Sequence, residues 1–264
     1  MLNDKIEAKW IDMFESIFQS CKLNKNETAV ILSETQSRLS NVTLSELALE
    51  KMGISFYHLK VPSPKPQSSA IIRSSGASLA LNGQNKAVVA LSNADFVVDL
   101  TLEGLMHAPQ TKEILGKGAR IMTISNEHPE ILERCMPEPQ TKDRALSASR
   151  LCRNSRKMTV SSDRGTNLSI NMEGNNTVGV WGWTDRPGTL AHWPGGLVVS
   201  FPNSSCVNGR LVFQSGDINL TFKKYFDTEV VFDIQNDYQK EKLLVYFGHL
   251  TQRIFLLHTF LQLS

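Results

Sequence analysis

Between Trp181 and Gly196 the chain gathers residue types that can build a site. The runs Trp181-Gly-Trp-Thr-Asp-Arg-Pro-Gly188 and His192-Trp-Pro-Gly-Gly196 hold three tryptophans, one histidine, two prolines and four glycines. Tryptophan offers a flat apolar wall and an N–H donor, and glycine beside it lets the backbone approach a ligand closely. An imidazole titrates near neutrality, so His192 can take a proton and return it. Gly and Pro between β-segments are also first of all turn formers, so the same stretch reads either as a pocket wall or as tightly packed strand corners. His107, in Leu105-Met-His-Ala-Pro109, is the second candidate, with Glu103 and Met106 beside it. It follows an apolar run at 95–100, and in open α/β sheets ligands collect beyond the carboxyl ends of the strands. The plainer reading is a loop histidine with no catalytic task.

The elements that must position these residues are read from periodicity. Ile6, Trp10, Met13, Phe14, Ile17, Phe18 and Cys21 recur at three- and four-residue intervals, which predicts a helix of about five turns with one apolar stripe. Strands are expected at 28–32, 54–59, 95–100 and 119–124, and helices at 45–51, 83–91 and 109–115, with a proline-rich loop at 61–69. Strands of five or six residues alternating with helices describe an open, mostly parallel α/β sheet. A polar helix over 141–157, with Leu146 and Leu151 on its inner side, reads as the connector between domains. Beyond it, short β-segments at 158–161, 167–172, 197–201, 210–213, 218–222 and 229–234 are separated by Gly, Asn, Pro and Asp, the rhythm of an antiparallel sheet or open barrel.

The expected fold class is therefore α+β in two domains with a cleft between them. Residues 1–140 form the α/β domain, 141–157 the connecting helix, and 158–237 a mainly antiparallel and incomplete β domain. Residues 238–264 form a divergent apolar tail, expected to be helical from the spacing of Leu243, Phe247, Leu250, Ile254, Leu257 and Leu261. Arg253 and the polar residues around it argue against a membrane span.

Composition narrows the function classes. The 264 residues are 41% hydrophobic and 20% charged with a formal charge of +2, values of a globular protein with no basic run for a nucleic acid. The sequence has no dinucleotide fingerprint and no phosphate-loop pattern, so the usual sequence warrant for a dinucleotide or nucleoside triphosphate is missing. Cys21, Cys135, Cys152 and Cys206 have no zinc-like spacing and are expected to stay reduced. With no signal peptide at the start, the protein is expected in the cytoplasm.

Several of these residues carry a family pattern: Ala94-Asp-Phe-Val-Val-Asp-Leu100, His107 with Pro109, Gly118-Ala-Arg-Ile121, Gly182 with Asp185 and Pro187-Gly188, His192-Trp-Pro-Gly195, Phe201-Pro-Asn203, Gly216-Asp-Ile218 and Phe222-Lys223. In these the chain, from about Leu2 to Ile234, resembles the 2,5-dihydroxypyridine 5,6-dioxygenase family, non-haem iron enzymes of bacterial nicotinate breakdown, similar in fold to thermophilic aminopeptidase T-type metallopeptidases. The resemblance implies an Fe(II)-dependent, extradiol-type opening of a small aromatic N-heterocycle by O2, with the ring and dioxygen as partners and no nucleic acid. It implies that His107 and His192 are catalytic, facing the ring and moving protons, and that Leu105, Met106, Trp181, Trp183 and Trp193 complete the substrate-binding wall. Trp181 and Trp183 stand where the family carries tyrosines, and Val180 where it carries a glutamate. The iron ligands of the family, two histidines and one carboxylate, fall beyond the matched region, so the chain is expected to be a C-terminally truncated relative with no evident iron site. His249 and His258, with Glu241 as the nearest carboxylate, are the only replacements the tail offers. A homo-oligomer is expected, with association through 243–263. The alternatives are a metal-dependent aminopeptidase-like protein and a non-catalytic remnant with an aromatic pocket.

Overall fold

The computed structural model describes residues 5–65, 77–219, 224–239 and 261–262. By its internal contacts the chain divides into two units, Met1–Pro139 with Trp181–Gly195, and Gln140–Val180 with Gly196–Ser264.

In the first unit the apolar stripe folds as helix α1 (Ala8–Ser20), with Trp10, Met13, Phe14, Ile17 and Phe18 buried. The helix stops where Lys22 takes a φ of 58° and the amides of Cys21 and Leu23 turn back to the carbonyls of Ile17 and Phe18. Strand β1 (Thr28–Glu34), helix α2 (Leu39–Met52), strand β2 (Ser55–Val61), helix α3 (Asn85–Ser92), strand β3 (Phe96–Asp99), helix α4 (Thr111–Gly116), strand β4 (Arg120–Ile124) and helix α5 (Pro129–Arg134) follow. Helix α2 begins well before the helix read at 45–51. Its first turns bury Ser40, Asn41 and Ser45, so no apolar period marks them. The Asn41 amide donates to the carbonyls of Ser125 and Glu127, which fastens α2 to the loop after β4.

The second unit opens with helix α6 (Thr141–Asn154), strand β5 (Lys157–Ser161), strand β6 (Asn167–Asn171) and strand β7 (Asn176–Val180). The chain then returns to the first unit for strand β8 (Leu190–Trp193), which pairs in parallel with β4 from Ile121↔Leu190 to Ile124↔Trp193. This departs from the single antiparallel domain expected over 158–237. The pairing is between strands far apart in sequence, and no local pattern announces it. The parallel sheet has the order β2-β1-β3-β4-β8. One face packs on α1, α2 and α5, through a core that includes Phe14, Phe96, Met122, Leu132 and Trp193. The other packs on α3 and α4, through Val30, Val88, Val97, Ile114 and Ile121. With both faces covered, β1, β3 and β4 are buried nearly throughout, as parallel strands are.

Strands β9 (Leu197–Phe201), β10 (Val207–Phe213), β11 (Ile218–Asn219), β12 (Lys224–Tyr225), β13 (Val230–Gln235), β14 (Tyr238–Gln239) and β15 (Leu261–Gln262) complete the second unit. They form an antiparallel sheet β14-β13-β10-β6-β5, a sheet β15-β9-β7 and the hairpin β11-β12. The α+β class with one parallel and several antiparallel sheets thus stands as read. Helix α6 differs from its reading in two ways. It lies within the second unit, and its buried residues are Ala145 and Ser149, while Leu146 and Leu151 point outward at 36% and 71% exposure. The reason is a close approach: a Cβ on Gly179 of β7 would meet the Ala145 carbonyl at 3.0 Å, and only small residues seat a helix so near a strand. Residues 240–260 and 263–264, where the helical tail was expected, lie outside the described residues. No helix among the described residues is long and apolar enough to cross a membrane.

Candidate active site

At the carboxyl end of the parallel sheet, Asp99, Thr123 and His192 occupy one cross-strand row, through the pairs Asp99↔Thr123 and Thr123↔His192. Side chains alternate along a strand. Val97 and Leu190, two residues earlier, pack toward α3 and α4, so Asp99 and His192 are directed to that same face. Their Cα atoms are about 10 Å apart, two strand spacings.

Asp99 is wholly buried and organises the loop that follows it. Its Oδ1 accepts from the Thr101 amide at 3.0 Å and the Thr101 hydroxyl at 2.7 Å. Its Oδ2 accepts from the Leu105 amide at 2.8 Å and the Thr123 hydroxyl at 2.7 Å. Burial pushes the Asp99 carboxyl above its ordinary range, and these donors oppose the shift. A second carboxylate holds the same loop: Glu34, at the end of β1, accepts from the Leu102 amide. Burial raises its carboxyl too, against the Leu102 and Ser63 hydrogen bonds, with Asp99 and Glu103 adding to the rise.

His192 is half-buried, and its Nδ1 lies 3.0 Å from the Pro194 carbonyl oxygen. A carbonyl can only accept, so Nδ1 carries the proton and Nε2 presents a lone pair. Burial lowers the imidazole below its ordinary value, while the Pro194 contact and the Asp99 charge act in the opposite sense. The ring is therefore neutral near pH 7, with a basic nitrogen available and a carboxylate to favour its protonated form.

The structure sorts the expected site residues into three groups. His107 and Met106 are exposed on the loop that Asp99 and Glu34 hold. Trp181 and Trp183 meet edge to face, with ring centroids 6.4 Å apart. Trp183 packs on the core beneath α1 and α2, across the sheet from the face of His192, while the Trp181 backbone abuts Gly195 just beyond β8. Leu105 and Trp193, expected in the substrate wall, are both fully buried. The Trp193 ring packs against Phe14 and donates to the Cys135 carbonyl; β-strand alternation turns it away from His192. His249, His258 and Glu241 lie outside the described residues.

Sequence reading gave no site role to Asp99, Thr123 or Glu34. Asp99 entered only within the family run at 94–100, at the end of an apolar segment. A further constellation, Ser33 hydroxyl to His58 Nε2 at 2.7 Å and His58 Nδ1 to Glu46 at 3.2 Å, has the connectivity of a nucleophilic triad. Ser33 is 1% exposed, so no substrate reaches it, and the chain of contacts ties the edge strand β2 to α2.

Residues 9–241 match the family described as NicX, 2,5-dihydroxypyridine 5,6-dioxygenase. The chain belongs to this family. The dioxygenase match takes in Asp99, His107, Thr123, Trp181, Trp183 and His192 and stops short of His249 and His258. The chain is 29% identical to the 2,5-dihydroxypyridine 5,6-dioxygenase of Pseudomonas putida over 234 residues, 88% of this chain and 66% of that protein. It thus spans just under two thirds of that relative's length. The solved structure of the Pseudomonas putida dioxygenase superposes with a TM-score of 0.80 at 28% identity, covering 90% of this chain and 68% of that one. AmpT from Thermus thermophilus reaches a TM-score of only 0.42 at 11% identity, covering 88% and 70%, and lends no support to the aminopeptidase alternative.

Proposed function

We propose that this chain holds a 2,5-dihydroxypyridine-type ring at the carboxyl edge of its parallel sheet and takes part in the opening of that ring by dioxygen. The observation that carries the proposal is the Pro194 carbonyl on His192 Nδ1, which leaves the lone pair on Nε2 of a neutral, half-buried imidazole. Family membership supports the ring as its target. A hydroxypyridine hydroxyl donates a hydrogen bond to such a nitrogen, and loses its proton to it as negative charge is drawn into the ring. His107 and Met106 stand exposed on the loop after β3, and Trp181 lies beside Gly195 just beyond β8, where an aromatic ring finds flat apolar surface; Trp183, on the other face of the sheet, acts by bracing Trp181 edge to face. Leu105 and Trp193 act from the core, by setting the backbone of the loop and of β8.

The resemblance assigns the oxygen chemistry to Fe(II) and makes the cleavage extradiol-type. Among the described residues no three His, Cys, Asp or Glu side chains cluster to hold a metal. The described residues do not fit an iron site, and no step is routed through one. A cytoplasmic location accords with the four free cysteines, and self-association is proposed from the apolar tail sequence alone.

The test is an anaerobic Fe(II) titration of the purified chain with 2,5-dihydroxypyridine present, followed by air, reading the ring absorbance. The expected result is ring binding before air; loss of the ring band after it, in proportion to iron bound by the chain, adds the oxygen chemistry that the family implies. A folded chain that neither binds nor consumes the ring contradicts the proposal.

A further inference from the structure

We infer that Asp99 is a positioning residue of this site, fixing the loop that carries His107 and standing in the same cross-strand row as His192. The inference rests on the proposed substrate site for its functional meaning, while its physical content stands on geometry alone. All four hydrogen bonds to the carboxylate serve that end. Two come from Thr101 and one from the Leu105 amide, so both ends of the 101–105 loop are drawn to one buried group. The fourth, from Thr123, ties the carboxylate to the strand between Asp99 and His192. Leu105 in turn is held from the far side, because its carbonyl accepts from the Ala108 amide and the Thr111 hydroxyl. Met106 and His107 are thereby the two exposed residues of a stretch anchored on both flanks. A surface loop left to itself is mobile; this one is bound to buried carboxylates.

A buried carboxylate with no cationic partner is an expensive feature in a fold. The four donors stabilise it, and no lysine or arginine does so in the described structure. The group able to become its counter-charge is His192. Asp99 acts on that ring from β3; β4 places only the uncharged Thr123 between them, and the loop adds Glu103 and His107. A proton accepted by His192 from a bound ring is therefore stabilised by the Asp99 carboxylate, whose ionised form the four donors favour against burial, and Asp99 links the two candidate histidines through one carboxyl group.

Asp99→Asn keeps the size of the side chain and removes the charge. Histidine-ring NMR on the full chain is expected to show the proton affinity of His192 falling several-fold in this variant, with His58 and His128 unmoved. Amide exchange at Leu105 is expected to quicken about tenfold, the scale of one lost hydrogen bond to a charged group. Should Asp99→Asn not fold, Thr101→Val removes a single donor and is expected to quicken the same amide. Unchanged His192 titration in Asp99→Asn, or unchanged Leu105 exchange in a folded variant, overturns the inference. The same spectra with added 2,5-dihydroxypyridine separate the two claims: a wild-type His192 signal indifferent to the ring sinks the substrate reading and leaves the link to Asp99 standing.

Discussion

Gly195 lies backbone against backbone with Gly182: a Cβ built on Gly195 would fall inside the van der Waals envelope of the Gly182 N and Cα and of the Trp181 carbonyl carbon. The two glycines bracket the segment that carries β8 into the parallel sheet, with Gly182 at a φ of 102°. Gly195→Ala therefore has no room that a side-chain shift can supply. It is expected to destabilise the chain by about 2 kcal/mol or more, read from urea unfolding. Gly116→Ala, at the end of α4 with nothing within 4 Å, is the control and is expected to change stability by less than about 1 kcal/mol, in the stabilising direction. Equal effects at the two positions would contradict the packing described.

Arg120 is 5% exposed, and its guanidinium donates to the Cys21 carbonyl and, at 2.6 Å, to Glu27. It holds the turn after α1 against β4. Arg120→Met removes the guanidinium donor from that carbonyl and from Glu27 Oε1 and is expected to cost about 3 kcal/mol, again by urea unfolding. A loss below about 1 kcal/mol would assign Arg120 to the solvated surface.

The pH dependence of stability has two opposing parts. His192 is held below its ordinary 6.5 by burial, so its contribution is present above 6.5 and is lost as the pH falls through the lower folded value. Asp99 and Glu34 are raised by burial, so theirs is full below the ordinary carboxylate range and lost as the pH rises through the folded values. His192→Gln is accordingly expected to blunt the loss of stability as the pH falls below 6.5. Glu34→Gln is expected to gain on the wild type as the pH is raised toward neutrality. Unfolding midpoints that keep a constant separation from wild type across this range would remove both assignments.

Thiol labelling follows from burial. Cys135 is exposed, whereas Cys21 and Cys206 are buried, and burial pushes the Cys21 thiol up to about 12. Cys135 is expected to react first with a thiol reagent and Cys21 only on unfolding. Mass spectrometry of the labelled peptides decides the order, and early modification of Cys21 would contradict the core beneath α1.

What the sequence discloses and what it hides divide along the range of the interactions. The stripe from Trp10 to Phe18 is local, and α1 follows from it directly. The strands at β1, β3 and β4 announce themselves as short apolar runs because both faces of the sheet are covered. Pairing of β8 with β4 joins residues far apart in sequence, so the turn-rich stretch around it read as part of the antiparallel region. Alternation along β8 decides that His192 faces one side and Trp193 the other, and that is invisible until the strand is known to be one. Leu146 and Leu151 were read inward because they are apolar, but the approach of Gly179 to Ala145 reserves the inner face of α6 for small residues. Asp99 was visible as a member of the family run at 94–100 but not as a site residue, because its four donors come from three residues, Thr101, Leu105 and Thr123, that no local pattern joins.

The central claim, that His192 presents a basic nitrogen to a hydroxypyridine ring, is tested most directly by equilibrium binding of 2,5-dihydroxypyridine to the folded chain and to His192→Gln, without oxygen. The account predicts that the wild type binds and that His192→Gln weakens binding about tenfold or more, the loss of one hydrogen bond to a partner carrying charge. Equal affinity in the two proteins would contradict it.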